Sequence, residues 1–279
     1  MLVEAIESIM LGNERPSELI IIDQSDVSNP DLARLVKNGR DQIRYLWTQS
    51  IGLSRACNSG IGAARHDLLV FTHDDVLVSA DWLGSLVRSL VCAGSQAVVT
   101  GRVLPTEGGE IGQFAPSTKA DEMPEVYEGR IGADVLFPMS MAMYRSCIDK
   151  VGSFDERLGP GTPFPAAEDN DFGFRILESK YRIIYVPEAV LYHRAWRSER
   201  DYLRLRWSYA RGQGAYYAKY LSLRDRYMLW RMVRHVKDHA KRFVLTLPSQ
   251  RQLAYGHAVY VLGLVSGAAQ WLMTQRRMP

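Results

Sequence analysis

Carboxylates closely follow two short apolar runs in the first third of the chain. Residues 19–22 lead into Asp23, and residues 68–72 lead through one further residue into Asp74 and Asp75. Adjacent carboxylates repel each other unless a cation is bound, and carboxylate oxygens favour hard ions such as Mg²⁺ or Mn²⁺. A divalent ion held there would bind a diphosphate. A surface turn would explain either carboxylate alone, because Asp is common in turns.

A second group of acids stands at a predicted helix start in the middle of the chain. Glu168, Asp169 and Asp171 follow a loop with Gly159 and Gly161, and glycines allow the backbone to approach a ligand closely. Acids at a helix N-terminus are common for capping alone. Glu168 and Asp169 differ from a simple cap, because one of the pair can orient while the other accepts a proton.

His193 is a candidate ligand after the last predicted strand. A lone histidine is most often structural. As a neutral imidazole at a strand end, it is also suited to ligate the same metal ion as Asp75.

Strands that alternate with helices must position these residues. The pattern predicts an α/β fold with a doubly wound, mostly parallel sheet, in which ligands bind beyond the carboxyl ends of the strands. The stretch 105–132, rich in Gly, Pro and acids, predicts a mobile loop over the site. Predicted helices are 2–11, 31–37, 51–64, 82–92 and 169–179, and predicted strands are 19–22, 43–47, 68–72, 97–103, 139–144 and 183–186, the last ending at Pro187.

Composition limits the class of protein. Among the 279 residues, 47% are apolar and 23% are charged, which excludes a disordered or collagen-like chain. Cys57, Cys92 and Cys147 are widely spaced, which disfavours a disulfide scaffold or a cysteine-rich zinc site and favours a reducing compartment. The first twelve residues lack a basic segment, so no signal peptide is predicted and we expect a cytoplasmic location.

Charge is strongly polarised along the chain. Residues 1–193 contain 17 basic and 27 acidic side chains, whereas residues 194–279 contain 17 and 4. A basic segment of this kind predicts a membrane surface or a nucleic acid as partner, or a solvated helical face. Aromatic and apolar content favours an anionic membrane, contacted peripherally, and no nucleic acid. The change in composition predicts a catalytic domain at 1–195 and a basic, amphipathic helical extension at 196–279.

Two segments of the extension support this interpretation. Residues 198–220 interleave basic and aromatic side chains, which suits a membrane interface, although packing on the catalytic domain explains the apolar half equally well. Residues 253–273 contain no formal charge if His257 is neutral, but include Gly256, Gly263 and Gly267. These glycines lower the hydrophobicity, so an interfacial helix is preferred to a spanning one.

Taken together, the motifs resemble the family-two glycosyltransferases, inverting enzymes with the nucleotide-diphospho-sugar transferase fold of GT-A type. The resemblance covers roughly residues 2–195. Its segments are residues 19–25, 52–61, 71–76 with 81–83, and 152–175, and then 181–188 with His193. It implies a nucleotide-diphospho-sugar donor, a divalent cation (Mn²⁺ or Mg²⁺) and a glycan or lipid-linked acceptor.

The resemblance also implies roles for single residues. On the donor side, Asp23 contacts the base, Arg55 and Asp74 belong to donor binding, and Asp74 and Asp75 bind ribose and metal. His193 is a further metal or diphosphate contact.

On the acceptor side, Asp169 is implied as the general base with Glu168 beside it, and Asp171 as a weaker candidate for acceptor binding. We expect Asp75, Asp169 and His193 to converge on one cleft. The predicted function is metal-dependent, inverting sugar transfer.

Two departures from the family pattern leave an alternative open. His73 stands where an Asp often stands, and only Met1 and Leu2 precede the first helix, where the family begins with a strand. We therefore expect a truncated or misassigned N-terminus, and an open edge on the strands at 19–22 and 68–72. The alternative function is a non-catalytic, membrane-associated binding or assembly protein on this scaffold. A sugar nucleotidyltransferase would need a Gly-rich basic loop near the N-terminus, which the sequence lacks.

Overall fold

The computed structural model describes residues 1–30, 32, 42–106, 113–115, 117–194, 197–198 and 201–275. The predicted helix at 31–37 falls outside these residues except for Leu32, and the predicted loop at 105–132 falls partly outside them.

Helices and strands alternate in the first two thirds of the chain, as predicted. The helices are α1 (Leu2–Met10), α2 (Leu53–Ala63), α3 (Trp82–Ala93), α4 (Arg145–Val151) and α5 (Glu168–Glu178). The strands are β1 (Leu19–Asp23), β2 (Ile43–Trp47), β3 (Leu68–Phe71), β4 (Val76–Val78), β5 (Ala97–Pro105), β6 (Gln113–Phe114), β7 (Glu125–Tyr127), β8 (Met141–Tyr144), β9 (Arg182–His193) and β10 (Arg197–Ser198). Three long helices follow: α6 (Tyr202–Ser222), α7 (Arg226–Thr246) and α8 (Arg251–Gln275).

The chain divides into two compact units. Unit 1 comprises Met1–Phe154 and Phe172–Arg197, and unit 2 comprises Asp155–Asp171 and Ser198–Pro279. The segment that contains Glu168, Asp169 and Asp171 is therefore grouped with the C-terminal helices, whereas the sequence interpretation placed it in the domain at 1–195.

The central sheet of unit 1 has the order β3-β8-β5-β9-β4, with β7 also paired to β9. Strands β3, β5 and β9 run in one direction, because β5 and β9 pair in parallel and β8 lies antiparallel between β3 and β5. No α-helix lies between β5 and β8 among the residues described, and a strand that returns without a crossover helix pairs antiparallel. The α/β class with a parallel framework and C-terminal helices is confirmed.

Strands β1 and β2 form a separate parallel pair. Within the described part of the chain, β1 pairs with β2 and β3 pairs with β8, and neither has a second hydrogen-bonded neighbour. The sequence interpretation predicted such open edges for these two strands.

Two apolar clusters cover the two faces of the sheet. Met141 and Met143 of β8 belong to one cluster, and Ala142 between them belongs to the other, as expected where successive side chains of a strand alternate. All three side chains are fully buried. A strand buried on both faces has a continuous apolar sequence, which explains the run at 141–143.

A bulge in β9 changes the register of the strand. Gly101 of β5 pairs with Val186, whereas the next residue of β5, Arg102, pairs with Val190. A Cβ at position 101 would lie 2.5 Å from the carbonyl oxygen of Ala189, so glycine is required there. The predicted end of this strand at Pro187 was wrong, because the bulge accommodates a residue that lacks an N–H and β9 continues to His193.

Helices α6 and α8 of unit 2 pack with their backbones in close contact. A Cβ at Gly214 of α6 would overlap the carbonyl oxygen of Leu264, and one at Gly267 of α8 would overlap that of Arg211. Tyr216 and Tyr217 of α6 are buried as well. The aromatic residues between 198 and 220 therefore serve largely in packing. The helices described here include none with the length and apolarity needed to cross a bilayer.

Candidate donor and catalytic sites

Asp75 and His193 meet because of the pairing between β4 and β9. Val76 lies opposite His193, which places the preceding residue, Asp75, beside the imidazole. The His193 Nε2 lies 3.3 Å from Asp75 Oδ2, and its Nδ1 lies 3.1 Å from the carbonyl oxygen of Ser117. Both ring nitrogens thus face acceptors. With Nδ1–H donated to the Ser117 carbonyl, the Nε2 lone pair would be available, together with the Asp75 carboxylate, to hold a cation.

This arrangement fits a metal ligand. Metal-ligating histidines usually donate the other ring N–H to a carbonyl or carboxylate, which fixes the ring and directs the lone pair at the ion. Carboxylate oxygen and imidazole nitrogen form a donor set that Mn²⁺ accepts. The side chains as they stand do not complete the site, because among the described residues no three His, Cys, Asp or Glu side chains are arranged to hold an ion.

His73 adds a further nitrogen to this region. Burial lowers the pKa of His73, although the negative charges of Asp75 and Asp74 oppose that shift. Its Nε2 is buried and has no hydrogen-bond partner among the residues described. A neutral imidazole with an unsatisfied nitrogen is suited to ligate a cation. Asp74, in contrast, is exposed to solvent.

Asp23 is buried at the end of β1, and both of its oxygens accept hydrogen bonds. Oδ1 accepts from the Ser25 N–H (2.9 Å) and hydroxyl (2.5 Å), and Oδ2 accepts from the Tyr45 hydroxyl (2.5 Å). Burial by itself would raise the pKa of Asp23, but the hydrogen bonds outweigh it and lower the pKa. The residue is therefore ionised and fixed in orientation.

Two amides near α2 were not singled out from the sequence. The side chain of Gln24 accepts from the Gly52 N–H at 3.1 Å and donates to the Gly52 carbonyl at 3.1 Å, which fixes the start of α2. Asn58, on α2, pairs with the N–H and the carbonyl of Phe154, each at 3.0 Å. An Asn inside a helix runs against helix propensity, and this was the available sequence signal. Arg55 lies exposed on the first turn of α2.

In unit 2, Glu168 is buried at the start of α5. Burial and the adjacent charge of Asp169 raise the pKa of Glu168 to about 8, so this residue holds a proton at neutral pH. Its Oε2 has no hydrogen-bond partner within the described part of the chain. Gly159, with φ of 101°, packs so closely that a Cβ would lie 3.0 Å from this oxygen.

Asp169 is less buried than its neighbour. Its Oδ1 accepts from the backbone N–H of Asn170 at 2.8 Å. Ala167, immediately before the helix, has φ of 72°, a conformation that costs a non-glycine residue about 1–3 kcal/mol. This backbone conformation determines how the acid pair enters α5. With Glu168 protonated, Asp169 is the residue of the pair suited to accept a proton.

Asp171 is fully buried and engaged by α6. Its Oδ1 accepts from Lys219 Nζ at 2.6 Å and from the Tyr220 hydroxyl at 2.9 Å. Lys219 Nζ also lies 2.8 Å from Asp155 Oδ2. This geometry favours a structural role for Asp171. The structure thus groups Asp75 and His193 with His73 in unit 1, and Glu168, Asp169 and Asp171 in unit 2.

Comparison with solved structures shows which fold this is. Superposition on GalNAc-T7 with UDP, GalNAc and Mn²⁺ gives a TM-score of 0.54 at 16% identity, and covers 71% of this chain and 41% of that one. Superposition on S. aureus TarS 1–349 in complex with UDP gives 0.54 at 16% identity, with coverage of 76% and 61%. These proteins have the GT-A fold.

Curated sequences provide a second comparison. The chain is 29% identical over 164 residues to the pre-mycofactocin glycosyltransferase of two strains of Mycobacterium tuberculosis. The match covers 55% of this chain and 32% of the relative, so the chain spans about a third of the length of these proteins. The sequence profile of glycosyl transferase family 2 matches residues 1–143, just over half of the 279 residues. The chain belongs to glycosyl transferase family 2.

Proposed function

We propose that this protein transfers a sugar, with inversion, from a nucleotide-diphosphate donor to a hydroxyl group of a glycan or a lipid-linked acceptor. The observation that carries the proposal is the setting of His193, whose two ring nitrogens lie 3.1 Å from the Ser117 carbonyl and 3.3 Å from the Asp75 carboxylate. The UDP in the related TarS structure supports a nucleotide-linked donor.

On the donor side, Asp75 and His193 would hold a divalent cation, and the Mn²⁺ in the GalNAc-T7 structure supports this assignment. A bound cation supplies positive charge next to the departing diphosphate. Asp23, fixed by Ser25 and Tyr45, is assigned to the base of the nucleotide. The exposed side chains of Asp74 and Arg55 are assigned to the ribose and the phosphates.

On the acceptor side, Asp169 is assigned as general base. Its carboxylate removes the proton of the acceptor hydroxyl while that oxygen forms the new bond to the anomeric carbon. The bond from the anomeric carbon to the diphosphate oxygen breaks in the same step, and the nucleoside diphosphate leaves. One displacement inverts the anomeric carbon. Glu168 stays protonated beside the base, and Asp171 is assigned to hold α6 rather than to bind acceptor.

A non-catalytic binding protein is the second candidate. His73 favours it, because an imidazole stands in the place where the family often has a carboxylate. The basic composition of residues 194–279 supports contact with an anionic membrane under either function.

A donor-hydrolysis screen across nucleotide sugars tests the proposal, with thermal stabilisation by UDP, GDP and dTDP plus Mn²⁺ measured in parallel. We expect stabilisation by one nucleotide, and turnover that Asp169→Asn reduces by about 10²–10⁴-fold. Asp149→Asn, at an exposed acid of unit 1, is the control and should retain turnover.

The outcomes separate the two candidates. Stabilisation without turnover would favour the binding protein. Equal hydrolysis by Asp169→Asn would remove that residue from the role of base, and the absence of any nucleotide effect would overturn sugar transfer.

A further inference from the structure

Helix α7 exposes large apolar side chains where a solvated helix would carry polar ones. Leu229, Trp230, Val233, Val244 and Leu245 are between 44% and 67% exposed. The residues of α7 that are buried are Met228, Arg231 and His239. Burial within unit 2 therefore does not explain the apolar residues on the outside of this helix.

Basic side chains share the same outer face. Arg226, Trp230, Val233, Lys237, Lys241 and Val244 follow one another at intervals of three or four residues, and all are exposed. Positions with this spacing lie on one side of a helix. The face thus carries both cations and apolar side chains along the whole length of α7.

Acidic residues offset little of the positive charge of α7. Helix α7 contains six Lys or Arg residues and one acid, Asp238. The Asp238 Oδ2 lies 3.9 Å from the Arg234 Nε, and both side chains are exposed. The Arg234 guanidinium also lies 5.4 Å from the ring centroid of Trp230, and the Tyr227 ring stacks on the same indole, with centroids 5.6 Å apart. Aromatic rings beside cations are typical of the interface between a bilayer and water.

We propose that this outer face of α7 docks on the surface of an anionic lipid bilayer. Lipid phosphates match the cations, and the interfacial region accommodates Leu229, Trp230 and Val233, which an aqueous polyanion would leave in water. A helix in this position lies in the plane of the surface. The proposal does not depend on sugar transfer.

Helix α8 provides a comparison within the same unit. Its exposed apolar residues include Tyr255, Leu262, Val265 and Leu272, but residues 252–275 contain no Lys, Arg, Asp or Glu. The charge match that identifies the partner of α7 is missing there. Leu262→Ser is therefore a matched control for loss of one exposed apolar side chain.

Vesicle co-sedimentation of the full chain tests the proposal. The probes are vesicles of phosphatidylcholine alone, and of phosphatidylcholine mixed with phosphatidylglycerol, at low and high salt. We expect binding to the anionic vesicles that weakens with salt. The triple variant Arg234→Gln, Lys237→Gln, Lys241→Gln should bind about 100-fold more weakly, since each basic residue near the surface contributes a factor of about five.

Further variants test whether vesicle binding depends on this face of α7 or only on the positive charge of the protein. Arg15→Gln, Arg65→Gln, Lys150→Gln removes three exposed cations from unit 1 and should leave binding within about twofold, as should Leu262→Ser. Trp230→Ala should weaken binding, and Trp230→Phe should abolish the blue shift of tryptophan emission on vesicles.

Several results would overturn the proposal. These are no binding to anionic vesicles at low salt, equal loss in the unit 1 triple variant, or a larger loss with Leu262→Ser than with Trp230→Ala. Tighter binding to duplex DNA, lost in the same α7 triple variant, would assign the face to nucleic acid instead. Donor hydrolysis in solution, measured on the same variants, reports separately on the proposed activity.

Discussion

The ammonium group of Lys219 lies 2.6 Å from the Asp171 carboxylate, which is fully buried. The same ammonium group contacts Asp155 at 2.8 Å, and Asp155 also binds the Arg157 guanidinium at 2.7 and 2.9 Å. Burial would raise the pKa of Asp155, but Arg157 and Lys219 hold it well below its usual range. Asp155 and Asp171, which flank the proposed catalytic pair Glu168 and Asp169 in the sequence, thus both contact Lys219 of α6.

Lys219→Met should destabilise the protein by about 3–5 kcal/mol, because it removes the ammonium group that lies 2.6 Å from the buried Asp171 carboxylate. Urea unfolding measures the change. Lys150→Met, at an exposed lysine, should change stability by less than about 0.5 kcal/mol. Adding Asp171→Asn to Lys219→Met should restore part of the loss, and no restoration would contradict the role assigned to this ion pair.

Glu168→Gln should keep most of the activity at neutral pH, because an amide resembles the protonated acid. The folded-state pKa is raised from 4.5 to about 8, so the native state retains a proton that the unfolded chain releases. Stability therefore falls as pH rises from about 4.5 to about 8. Urea unfolding across this range should show a smaller slope in Glu168→Gln. An unchanged slope would show that Glu168 titrates normally.

Asp75→Asn and His193→Gln should each abolish the stabilisation of the protein by UDP with Mn²⁺. A ligand at about a hundred times its dissociation constant stabilises by about 2.7 kcal/mol, so loss of binding is visible in thermal unfolding. Asp67→Asn, at an exposed acid one residue before β3, is the control. Full stabilisation of Asp75→Asn would place the cation elsewhere.

Low pH should reduce the stability of unit 2, because the pKa of His239 is lowered in the folded state. Burial, with His235 and Arg206 nearby, lowers its pKa to about 3, and its Nδ1 lies 3.0 Å from that of His257. The unfolded chain takes up a proton below the ordinary pKa of 6.5 while the native state does not. Stability is therefore fully present above that value and is lost as pH falls from it towards 3.

The expected loss between about pH 7 and pH 5 is about 2 kcal/mol, at up to about 1.4 kcal/mol per pH unit. His239→Asn should reduce this loss, and the exposed His66→Asn should not. Equal acid sensitivity of His239→Asn and the parent would refute the assignment.

Gly267→Ala should destabilise the protein by more than about 3 kcal/mol, because the added Cβ overlaps the Arg211 carbonyl and both are backbone-fixed. Gly62→Ala, on α2 with no atom within 4 Å of the new Cβ, should stabilise by about 0.5–1 kcal/mol. Thermal unfolding should show a lower Tm for Gly267→Ala and a higher Tm for Gly62→Ala. A neutral Gly267→Ala would mean that α6 and α8 are not packed this closely.

Local patterns in the sequence predicted most of the elements of unit 1. The runs at 19–22, 43–47 and 97–103 became β1, β2 and β5, because short runs rich in β-branched or aromatic residues favour strands. The position of Asp75 after β3 followed from the same reasoning. Its proximity to His193 was expected from their places at strand ends and from the family resemblance, but the register of β4 on β9 that brings them together is set by tertiary pairing.

Tertiary contacts also explain what local patterns missed. The glycines of residues 253–273 were interpreted as lowering hydrophobicity, whereas Gly263 and Gly267 are where α8 approaches α6. The role of Asn58 depends on Phe154, which lies 96 residues away. The apolar face of α7 was not singled out, because periodicity shows that residues share a face but not whether that face is covered.

The bulge in β9 divides this strand into two segments with different structural roles. Residues 183–186 lie in the sheet interior, and their pairing with β5 does not depend on the residues after Val186. The number of residues between Val186 and Val190 determines which side chain faces Asp75, since a change by one would present Tyr192 or Arg194 in place of His193. Insertions or deletions at this point can therefore alter the chemistry of the donor site while the sheet itself persists, so the length of this short spacer is a natural place for relatives to diverge.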